Sequence, residues 1–442
     1  MSDGLRVGML GCGTVGAAVV RMLDEHAGEI ARRAGARVQV VRVAVRDPDR
    51  QRDVPLDPSQ LVKEPDEVVS APDVDVVVEV IGGIEPARSL ILAAMAAGKS
   101  VVTANKALLA DHGPELFDEA VRRGVDLLYE AAVGGGIPVI RPIREHLAGD
   151  RIVRLTGILN GTTNYILTRM TEDGSSLGDA VREAQALGYA EADPTADVEG
   201  SDAAAKAAIL ATIAFDTPVA AADVSREGIT SVTDDDIAFA KRLGYVVKLL
   251  AVAERVGDGV SVRVHPAMIP IEHPLAAVRE AFNAVLIDGE RVGPLMLYGR
   301  GAGGDPTATS VVGDLIELAR GRAAAGTITT AAHGAHGAHG VHGAEGPSGR
   351  PLIRIGDVLG EFYLLLDVAD RPGVLAAIAH AFAHHQISIK QVWQEGHGDE
   401  ARLVIITHVA QERTLRECAA TLGDLSSVKA IRSIIRVEAG DS

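Results

Sequence analysis

The sequence predicts an α/β fold in three parts: a doubly wound, Rossmann-type parallel sheet, an α+β region, and a C-terminal ferredoxin-like domain. Strand-like and helix-like segments alternate over residues 5–129, as they do in βαβ units. After Gly149, long Ala-rich helical stretches replace this alternation. Over residues 361–437 the order of elements is βαββαβ, which is the ferredoxin-like arrangement.

The first part begins with a short strand and continues as strand–helix units. The segment VDVVVEV at 74–80 is almost continuously apolar, as strands of a parallel sheet are when both faces are covered. The expected strands are Leu5–Leu10, Arg37–Val45, Val74–Val80, Ser100–Thr103 and Val125–Tyr129. The expected helices are Thr14–Glu29, Pro86–Ala97 and Pro114–Arg123.

The second part mixes strands with Ala-rich helices. The expected strands are Arg151–Ile158, Lys248–Ala253, Ser261–Pro266 and Ala284–Asp288, and the expected helices are Ser176–Leu187, Ser201–Ala214 and Pro306–Arg320. The segment YGRGAGG at 298–304 is expected to be a loop. We expect the helix at 306–320 to return and pack on the first part.

A His/Gly repeat precedes the C-terminal domain. His333, His336, His339 and His342 recur every third residue, each beside glycine. Four histidines could bind a metal, but glycine-rich sequence sets no ligand geometry, so a flexible linker is favoured. The expected domains are 1–136, 137–305 and 351–438, with 321–350 as the linker. In the last domain the expected strands are Glu361–Val368, Ile387–Gln394, Arg402–His408 and Val428–Val437, and the helices are Val374–His385 and Glu412–Leu422.

Composition excludes several classes of protein. The chain has 442 residues and a net charge of −17, so its surface would repel a nucleic acid. With two cysteines, Cys12 and Cys418, neither a disulfide scaffold nor a cysteine-built zinc site is expected. Residues 1–10 lack the regions of a signal peptide, and no apolar run is long enough to span a membrane. We therefore expect a cytoplasmic protein that does not contact membranes.

The clearest motif is Gly11-Cys-Gly13-Thr-Val-Gly16, directly after a strand and before a helix. Gly11 permits a tight turn, Gly13 lets the backbone approach a pyrophosphate, and Gly16 allows the strand and helix to pack closely. The N-terminus of the helix offers free N–H groups to the phosphates. The motif predicts a dinucleotide site, in which Cys12 is a small packing residue and not a nucleophile.

The end of the second strand bears on the choice of cofactor. It reads Val43-Ala44-Val45-Arg46-Asp47, and Arg46 stands where the 2′-phosphate of NADP would lie. We therefore favour NADP. The alternative is that Arg46 is a solvated charge and Asp47 binds the ribose of NAD.

Three further segments carry charge where chemistry is expected. Lys106 follows the strand that ends at Thr103, at the ligand-binding edge of a parallel sheet, although lysines that open helices are common. Glu130 precedes a glycine-rich segment that indicates a domain hinge first and a cation site second. Asp202 and Lys206 share one helix face, either as a surface ion pair or, on an Ala-rich helix, as charges that point into a cleft.

Taken in order, the segments resemble the single-function homoserine dehydrogenases that carry a C-terminal ACT regulatory domain. The matching segments are GCGTVG, TANKALLA, YEAAVGGGIP, LNGTTNYIL, GYAEADPTADVEGSDAAAK and GRGAGGDPTA. The resemblance covers nearly the whole chain apart from the His/Gly repeat. It implies interconversion of L-aspartate 4-semialdehyde and L-homoserine with NAD(P), a step toward threonine, methionine and isoleucine.

The resemblance also implies roles for individual residues. Lys206 is the proton donor and acceptor, Lys106 lies near the nicotinamide, and Glu191 and Asp202 hold the substrate. A sodium ion at the hinge is implied on Glu130 and the carbonyls of Val133, Gly135 and Ile137. The residues expected at the cofactor are Gly11, Gly13, Thr14, Val15, Gly16, Ala44, Arg46, Thr103, Lys106 and Gly303.

The C-terminal part resembles an ACT domain, with Asp370-Arg-Pro-Gly373-Val-Leu at its first strand–helix turn. Such domains bind amino acids at a paired interface, which implies feedback by L-threonine and a homodimer or homotetramer. A purely structural dimerisation module is the alternative. For the whole chain there are two alternatives. One is aspartate-semialdehyde dehydrogenase, whose chemistry needs a catalytic cysteine, and neither Cys12 nor Cys418 is well placed for that role. The other is a non-catalytic amino-acid sensor.

Overall fold

The computed structural model describes residues 4–325, 349–396 and 401–438, with side chains omitted over 323–325. The four histidines of the repeat, His333 to His342, lie outside the described residues. Within the described part of the chain, no helix is both long and apolar enough to span a bilayer.

The N-terminal part is a six-stranded parallel sheet in the order β3-β2-β1-β4-β5-β6. Its strands are β1 Leu5–Leu10, β2 Val38–Ala44, β3 Leu61–Val62, β4 Val76–Glu79, β5 Ser100–Thr103 and β6 Leu127–Leu128. Its helices are α1 Thr14–Glu25, α2 Ala27–Ala34, α3 Asp66–Val69, α4 Ala87–Ala96 and α5 Lys106–Arg123. The strand order reverses between β1 and β4, so a crevice opens at the carboxyl ends of these strands, as in dinucleotide-binding sheets. The predicted fold class is confirmed.

Two helices of this part differ from the sequence prediction. The first expected helix is divided at His26 into α1 and α2. Helix α5 begins at Lys106 and not at Pro114, which lies inside it. The Oδ1 atom of Asn105 accepts a hydrogen bond of 3.1 Å from the backbone N–H of Leu108, and this cap fixes the start of the helix.

The remainder of the chain shares one eleven-stranded sheet. Nine strands follow the order β12-β11-β7-β9-β10-β17-β13-β15-β14, while β8 pairs with β10 and β16 with β13. The strands of the second part are β7 Ile152–Ile158, β8 Ser225–Arg226, β9 Tyr245–Val256, β10 Gly259–Pro270, β11 Phe282–Gly289 and β12 Gly293–Arg300. Its helices are α6 Gly161–Asp173, α7 Leu177–Ala186, α8 Thr195–Val198, α9 Ser201–Phe215, α10 Asp234–Arg242 and α11 Gly304–Ala325. The loop expected at 298–304 is wrong for its first three residues, which pair with β11 as the end of β12.

The C-terminal domain has the predicted βαββαβ order. Its strands are β13 Leu359–Val368, β14 Ile389–Glu395, β15 Ala401–Thr407, β16 Ala410–Gln411 and β17 Val428–Val437, and its helices are α12 Val374–His384 and α13 Glu412–Gly423. Its last strand pairs in parallel with β10 of the second part, with Ala267 opposite Arg436 and Met268 opposite Val437. The domain therefore extends the sheet of the region before it.

Helix α11 links the two sheets. It follows β12 in the chain, yet Ala308, Val311 and Leu315 are buried in the same apolar cluster as Val7 of β1 and Val19 of α1. One face of the parallel sheet is thus completed by a helix that lies about 300 residues farther along the chain than β1. This return places the start of α11 beside the glycine-rich loop.

Candidate active site between two domains

The glycine-rich loop has the geometry that each of its glycines predicts. Gly11 has a φ of +102°, and its N–H donates to the carbonyl of Ala44 at 3.0 Å. A Cβ atom on Gly16 would lie 2.5 Å from the carbonyl oxygen of Gly11, so strand and helix pack closely only with glycine there. A Cβ atom on Gly13 would meet nothing within 4 Å. The loop therefore leaves open space at the N-terminus of α1, which begins at Thr14.

The start of α11 approaches this loop from the second part of the chain. Gly303 has a φ of +117°, and a Cβ atom on Gly304 would lie 3.2 Å from the carbonyl oxygen of Thr14. The side chain of Val15 packs, partly buried, against the core below. The expected cofactor residues of the loop and Gly303 are thus brought together, and both domains contribute to this edge.

Arg46 and Asp47 lie exposed beyond the end of β2. The guanidinium of Arg52 donates to the carbonyl oxygens of Arg50 and Asp47, both at 2.7 Å, and so folds this loop back on itself. The side chain of Arg46 is exposed at the position where the 2′-phosphate of NADP is expected. Burial raises the pKa of the Cys12 thiol in spite of the positive charge of Arg52 and Arg21, so Cys12 is a neutral thiol.

A buried carboxylate that the sequence analysis did not single out organises the middle of the crevice. Glu79 ends β4, and one of its oxygens accepts from the N–H groups of Ile81 and Gly82 at 2.9 and 3.0 Å. Its other oxygen accepts from the hydroxyl of Thr103 at 2.5 Å. The Thr103 hydroxyl oxygen in turn accepts from the N–H of Asn105 at 3.0 Å. Glu79 thereby fixes the turn that presents Lys106.

The central feature of the site is a carboxylate held between two lysines. Lys206 Nζ lies 2.7 Å from one oxygen of Asp202, and Lys106 Nζ lies 2.6 Å from the other. Asp202 and Lys206 occupy one face of α9, whereas Lys106 opens α5 of the parallel-sheet domain. Residue Lys206 is 7% exposed, and the side chain of Lys106 is 44% exposed. The cluster is therefore no surface ion pair, because it joins the two domains and opens to solvent on the Lys106 side.

The electrostatics of this cluster favour its charged form. Burial alone would raise the pKa of Asp202, but the ammonium groups of Lys206 and Lys106 hold it well below its usual range. Burial would lower the pKa of Lys106, but Asp202 outweighs this effect and the pKa is raised. Counted formally, one carboxylate between two lysines gives these three side chains a net charge of +1, while the nearby carboxylates of Asp197 and Glu191 also act on Lys106.

Two more residues support the cluster. The amide of Asn160 donates to Asp202 at 2.9 Å and to Asp197 at 2.6 Å. Lys206 also donates to the carbonyl oxygen of Leu159 at 2.7 Å. The sequence analysis did not predict these contacts. The segment LNG directly after β7 was the one clue to them, because its Asn160 caps α6 by accepting a hydrogen bond of 2.8 Å from the N–H of Thr163.

Glu191 lies on the segment before α8, near this cluster. Its side chain is exposed, and its negative charge contributes to the raised pKa of Lys106. The structure thus brings Lys106, Asp202 and Lys206 into contact, with Glu191 close enough for its charge to act on Lys106.

The hinge expected to hold a cation uses its carboxylate in another way. Glu130 is buried, and its oxygens accept from the N–H groups of Val139, Ile140 and Arg141 at 2.6, 2.8 and 2.8 Å. These three hydrogen bonds use three of the about four acceptor sites of the carboxylate. They tie Glu130 to the start of the next segment.

The rest of the hinge is closed by α11. Ser310 donates to the carbonyl oxygen of Gly135 at 2.6 Å, and the N–H of Glu130 donates to Asp314 at 3.0 Å. Burial first, and then the charge of Glu130, raise the pKa of Asp314 well above its usual value. Among the described residues, no group of three or more His, Cys, Asp or Glu side chains is placed to hold a metal ion.

Comparisons with known proteins agree with this architecture. The family model described as the NAD-binding domain of homoserine dehydrogenase matches residues 11–130, the one described as homoserine dehydrogenase matches residues 138–316, and the ACT domain matches residues 362–425. The homoserine dehydrogenase of Mycobacterium tuberculosis is 48% identical over 98% of this chain and 97% of its own length. The chain belongs to the homoserine dehydrogenase family. It is accordingly an oxidoreductase with a nicotinamide-binding domain.

Solved structures of homoserine dehydrogenases share the fold. One from Thiobacillus denitrificans has a TM-score of 0.91 and 42% identity, covering 99% of both chains. A mutant of a hyperthermophilic archaeal homoserine dehydrogenase, solved in complex with NADPH, has a TM-score of 0.60 and 28% identity, covering 71% of this chain and 97% of its own.

Proposed function

We propose that this protein interconverts L-homoserine and L-aspartate 4-semialdehyde with NADP, and that the cluster of Asp202, Lys106 and Lys206 carries the chemistry. The observation behind this proposal is that one buried carboxylate holds an ammonium group from each of two domains. Such a cluster has a net positive charge beside the crevice in which the dinucleotide is expected. It therefore favours the negative oxygen that develops when a carbonyl is reduced.

Lys206 is the proposed proton donor and acceptor. An ammonium group has three N–H donors, and the contacts of Lys206 with Asp202 and the Leu159 carbonyl use two. The third can donate to the substrate oxygen, to which Lys206 gives its proton as the aldehyde is reduced and from which it takes one in reverse. When bound, the nicotinamide supplies or accepts the hydride.

Asp202 and Glu191 are the proposed substrate-binding carboxylates, and Lys106 assists at the cofactor side. Asp202 keeps both ammonium groups in place, and therefore fixes the position of the reacting oxygen. Glu191, which is exposed, is proposed to receive the positive α-amino group of the substrate. Lys106 is more exposed than Lys206, so it can also contact the nicotinamide side of the crevice.

The dinucleotide is assigned to the glycine-rich loop, Ala44, Thr103 and Gly303, with Arg46 for the 2′-phosphate of NADP. Gly13 provides the open approach and α1 provides the helix N-terminus. Arg46 is exposed beyond β2, which suits a phosphate more than a ribose hydroxyl. NAD stays the alternative cofactor.

The sodium ion, the regulation and the assembly remain proposals from the resemblance. Because Glu130 already accepts three backbone hydrogen bonds, sodium would depend on the carbonyl oxygens of Val133, Gly135 and Ile137. L-threonine is proposed as the ligand of the ACT domain, in a homodimer or homotetramer that serves threonine, methionine and isoleucine synthesis. Sodium titration, threonine titration and sedimentation of the purified protein test these three proposals separately.

Initial-rate oxidation of L-homoserine, with NADP and NAD in parallel, tests the proposed function. We expect turnover with at least one of the two cofactors, and a higher rate with NADP than with NAD. Folded protein without turnover on either cofactor, with sodium present, would favour the rival interpretation of a non-catalytic amino-acid sensor. Retained binding of L-threonine in such a protein would identify that alternative directly.

A further inference from the structure

A narrow cleft opens between α6, β9 and the segment that follows β10. Its volume is about 280 Å³, just below the usual range of ligand pockets, so it fits a ligand of a few heavy atoms. One of its lining residues is Lys248 of β9, which is only 2% exposed. The cleft is therefore lined by a buried lysine that the proposed reaction does not use.

Within the described part of the chain, the ammonium group of Lys248 contacts uncharged partners and no carboxylate. It donates to Oδ1 of Asn164 at 2.9 Å and to the carbonyl oxygen of Val278 at 2.5 Å. The amide nitrogen of Asn164 donates to the carbonyl oxygens of Val278, Glu280 and Phe282, which fixes Oδ1 toward Lys248. Because an ammonium group has three N–H donors, these contacts leave one for a ligand.

The other two charged residues of the cleft neutralise each other. Glu172 of α6 and Arg279 of the covering segment form an ion pair, and their side chains are 30% and 60% exposed. By formal charge, the lining residues therefore carry one excess positive charge, that of Lys248. Burying an ammonium group without a counter-charge is costly, so a single negative charge in the cleft would be favourable.

The remaining lining residues select the kind of anion. The hydroxyls of Thr168 and Thr171 donate to the carbonyl oxygens of Asn164 and Leu167, both at 2.7 Å, so neither hydroxyl is free to donate to a ligand. The apolar lining residues are Val246, Ile271, Ala276 and Ala277. Phosphate and sulfate need several donors, whereas a carboxylate with a short apolar tail needs few and can bury its tail against this lining.

The cleft is separate from the proposed active site. Asn160, which donates to Asp202, caps the start of α6, whereas Thr171 lies eleven residues farther along the chain on that helix. At ~1.5 Å per residue, the separation along the helix is about 16 Å. A ligand of a few heavy atoms therefore cannot occupy both sites.

We propose that this cleft binds a small organic monocarboxylate with a short apolar tail, held by the ammonium group of Lys248. The carboxylate accepts the third N–H of Lys248, and the tail lies against Val246 and Ile271. The site contains no residue of the proposed reaction, so the binding is independent of the proposed function.

The protonation of Lys248 makes this binding dependent on pH. Burial lowers the pKa of Lys248 to about 8, while the charge of Glu172 opposes this shift and that of Arg279 adds to it. The ammonium form therefore prevails at pH 7 and is lost as the pH rises to 9. We expect the Kd for the carboxylate to rise about tenfold between these two pH values.

Titration of the full chain with isovalerate tests the site, with isotopically labelled alanine methyl groups observed by NMR. We expect saturable shifts at Ala276 and Ala277, which line the cleft. Isovaleramide has the same shape without the charge and should bind about tenfold more weakly or worse. Inorganic phosphate should leave both signals unchanged. Equal binding of the acid and the amide would overturn the role of charge, and tighter binding of phosphate would overturn the choice of a carboxylate.

Variants locate the binding. Lys248→Met should raise the Kd for isovalerate about tenfold or more. Lys99→Met is the matched control, because Lys99 is also buried and donates to two carbonyl oxygens, those of Ala71 and Val74, in the N-terminal part. It should bind isovalerate normally. If Lys248→Met does not fold, Ala277→Leu, at an exposed residue that lines the cleft, should block binding and keep the fold.

The Lys206→Ala protein separates this proposal from the proposed activity. It should bind isovalerate as the wild type does, so that loss of binding and loss of turnover are distinct results. Loss of binding in Lys206→Ala would place the ligand in the active site and overturn the proposal. Absence of saturable shifts at Ala276 and Ala277, or a folded Lys248→Met protein that binds like the wild type, would do the same.

Discussion

At the scale of single residues, function depends on where a few charges are buried. Asp202 would be a poor carboxylate to bury alone, and it is stable there because Lys206 and Lys106 face its two oxygens. Asn160 adds a hydrogen bond of 2.9 Å from a third element. The pKa of Asp202 is lowered accordingly, so this carboxylate stays ionised across the physiological range.

The i, i+4 spacing of Asp202 and Lys206 could be predicted from the sequence, but their burial could not. Spacing on one helix shows that two side chains share a face, and it does not show what covers that face. Here the cover comes from Leu159 after β7 and from Lys106 on another domain. Glu79 escaped notice for the same reason, because its partners lie on a following turn and on β5.

Replacing Arg46 by alanine tests the choice of cofactor. If the exposed guanidinium holds a 2′-phosphate, the KM for NADP rises about tenfold or more, since a charge-assisted hydrogen bond is lost. The KM for NAD should change little. Arg50→Ala, another exposed arginine of the same loop, is the control and should leave both values unchanged. Equal loss with NAD and NADP would contradict the assignment.

At the scale of elements, local rules predicted well wherever the backbone itself sets the requirement. The loop from Gly11 to Gly16 was predicted because each glycine meets a distinct steric requirement. The structure shows these requirements as the positive φ of Gly11 and as the space available at the Cβ positions of Gly13 and Gly16. The start of α5 was mispredicted because Pro114 looked like a first helical residue, while the cap at Asn105 decides the boundary. The ends of helices depend on such caps more than on a single proline.

Gly13→Ala separates the binding role of the loop from its structural role. The new methyl group would meet no protein atom within 4 Å, so the melting temperature should stay within a few degrees. The Kd for NADP should nevertheless rise, because the methyl group occupies the approach of the pyrophosphate. Gly16→Ala is the contrasting variant, whose Cβ meets Gly11 O at 2.5 Å and should lower the melting temperature. A Gly13→Ala protein that binds NADP normally would contradict the model of the loop.

Asp75 gives the parallel sheet a dependence on pH. Burial would raise its pKa, but hydrogen bonds from the side chain and N–H of Arg6 lower it to about 2. Because the pKa of Asp75 is lower in the folded protein than its unfolded value of about 4, the ionised carboxylate stabilises the fold fully above pH 4. This stabilisation is lost as the pH falls through about 2. Asp75→Asn should therefore cost ~1 kcal/mol of unfolding free energy at pH 7 and less at pH 3.

Denaturant unfolding at the two pH values measures this difference. Asp49→Asn, at an exposed carboxylate of the loop after β2, is the control and should show little loss at either pH. A loss at Asp75 that is equal at pH 7 and pH 3 would show that charge is not the cause.

At the scale of the whole molecule, the order of domains was predictable but their junctions were not. The composition and the alternation of elements indicated three parts, and the predicted fold class is confirmed. The pairing of β10 with β17 is not visible in the sequence, because strands of different domains carry no local signal of their pairing. That pairing places Arg436 beside Glu227, and it ties the ACT domain to the segment next to α9.

The same scale explains why the proposed active site needs both the first and the second part of the chain. Asp202 lies in the second part, Lys106 in the first, and α11 returns from the second part to cover the first sheet. Hydride transfer requires cofactor and substrate to meet at a fixed distance, so in the proposed mechanism the interface that joins Asp202 to Lys106 is itself part of the catalytic arrangement.

The rate of L-homoserine oxidation by Lys206→Ala, beside the wild type, tests the central claim most directly. We predict that kcat falls by ~10²–10⁴, since proton transfer by a positioned group contributes that much. The melting temperature of Lys206→Ala should fall, because the buried Asp202 loses one of its two lysine partners, so the comparison is made well below it. The Kd for NADP should stay close to the wild type, and Lys241→Ala, at an exposed lysine of α10, should retain full activity. A folded Lys206→Ala protein that turns over L-homoserine as fast as the wild type would contradict the proposed mechanism.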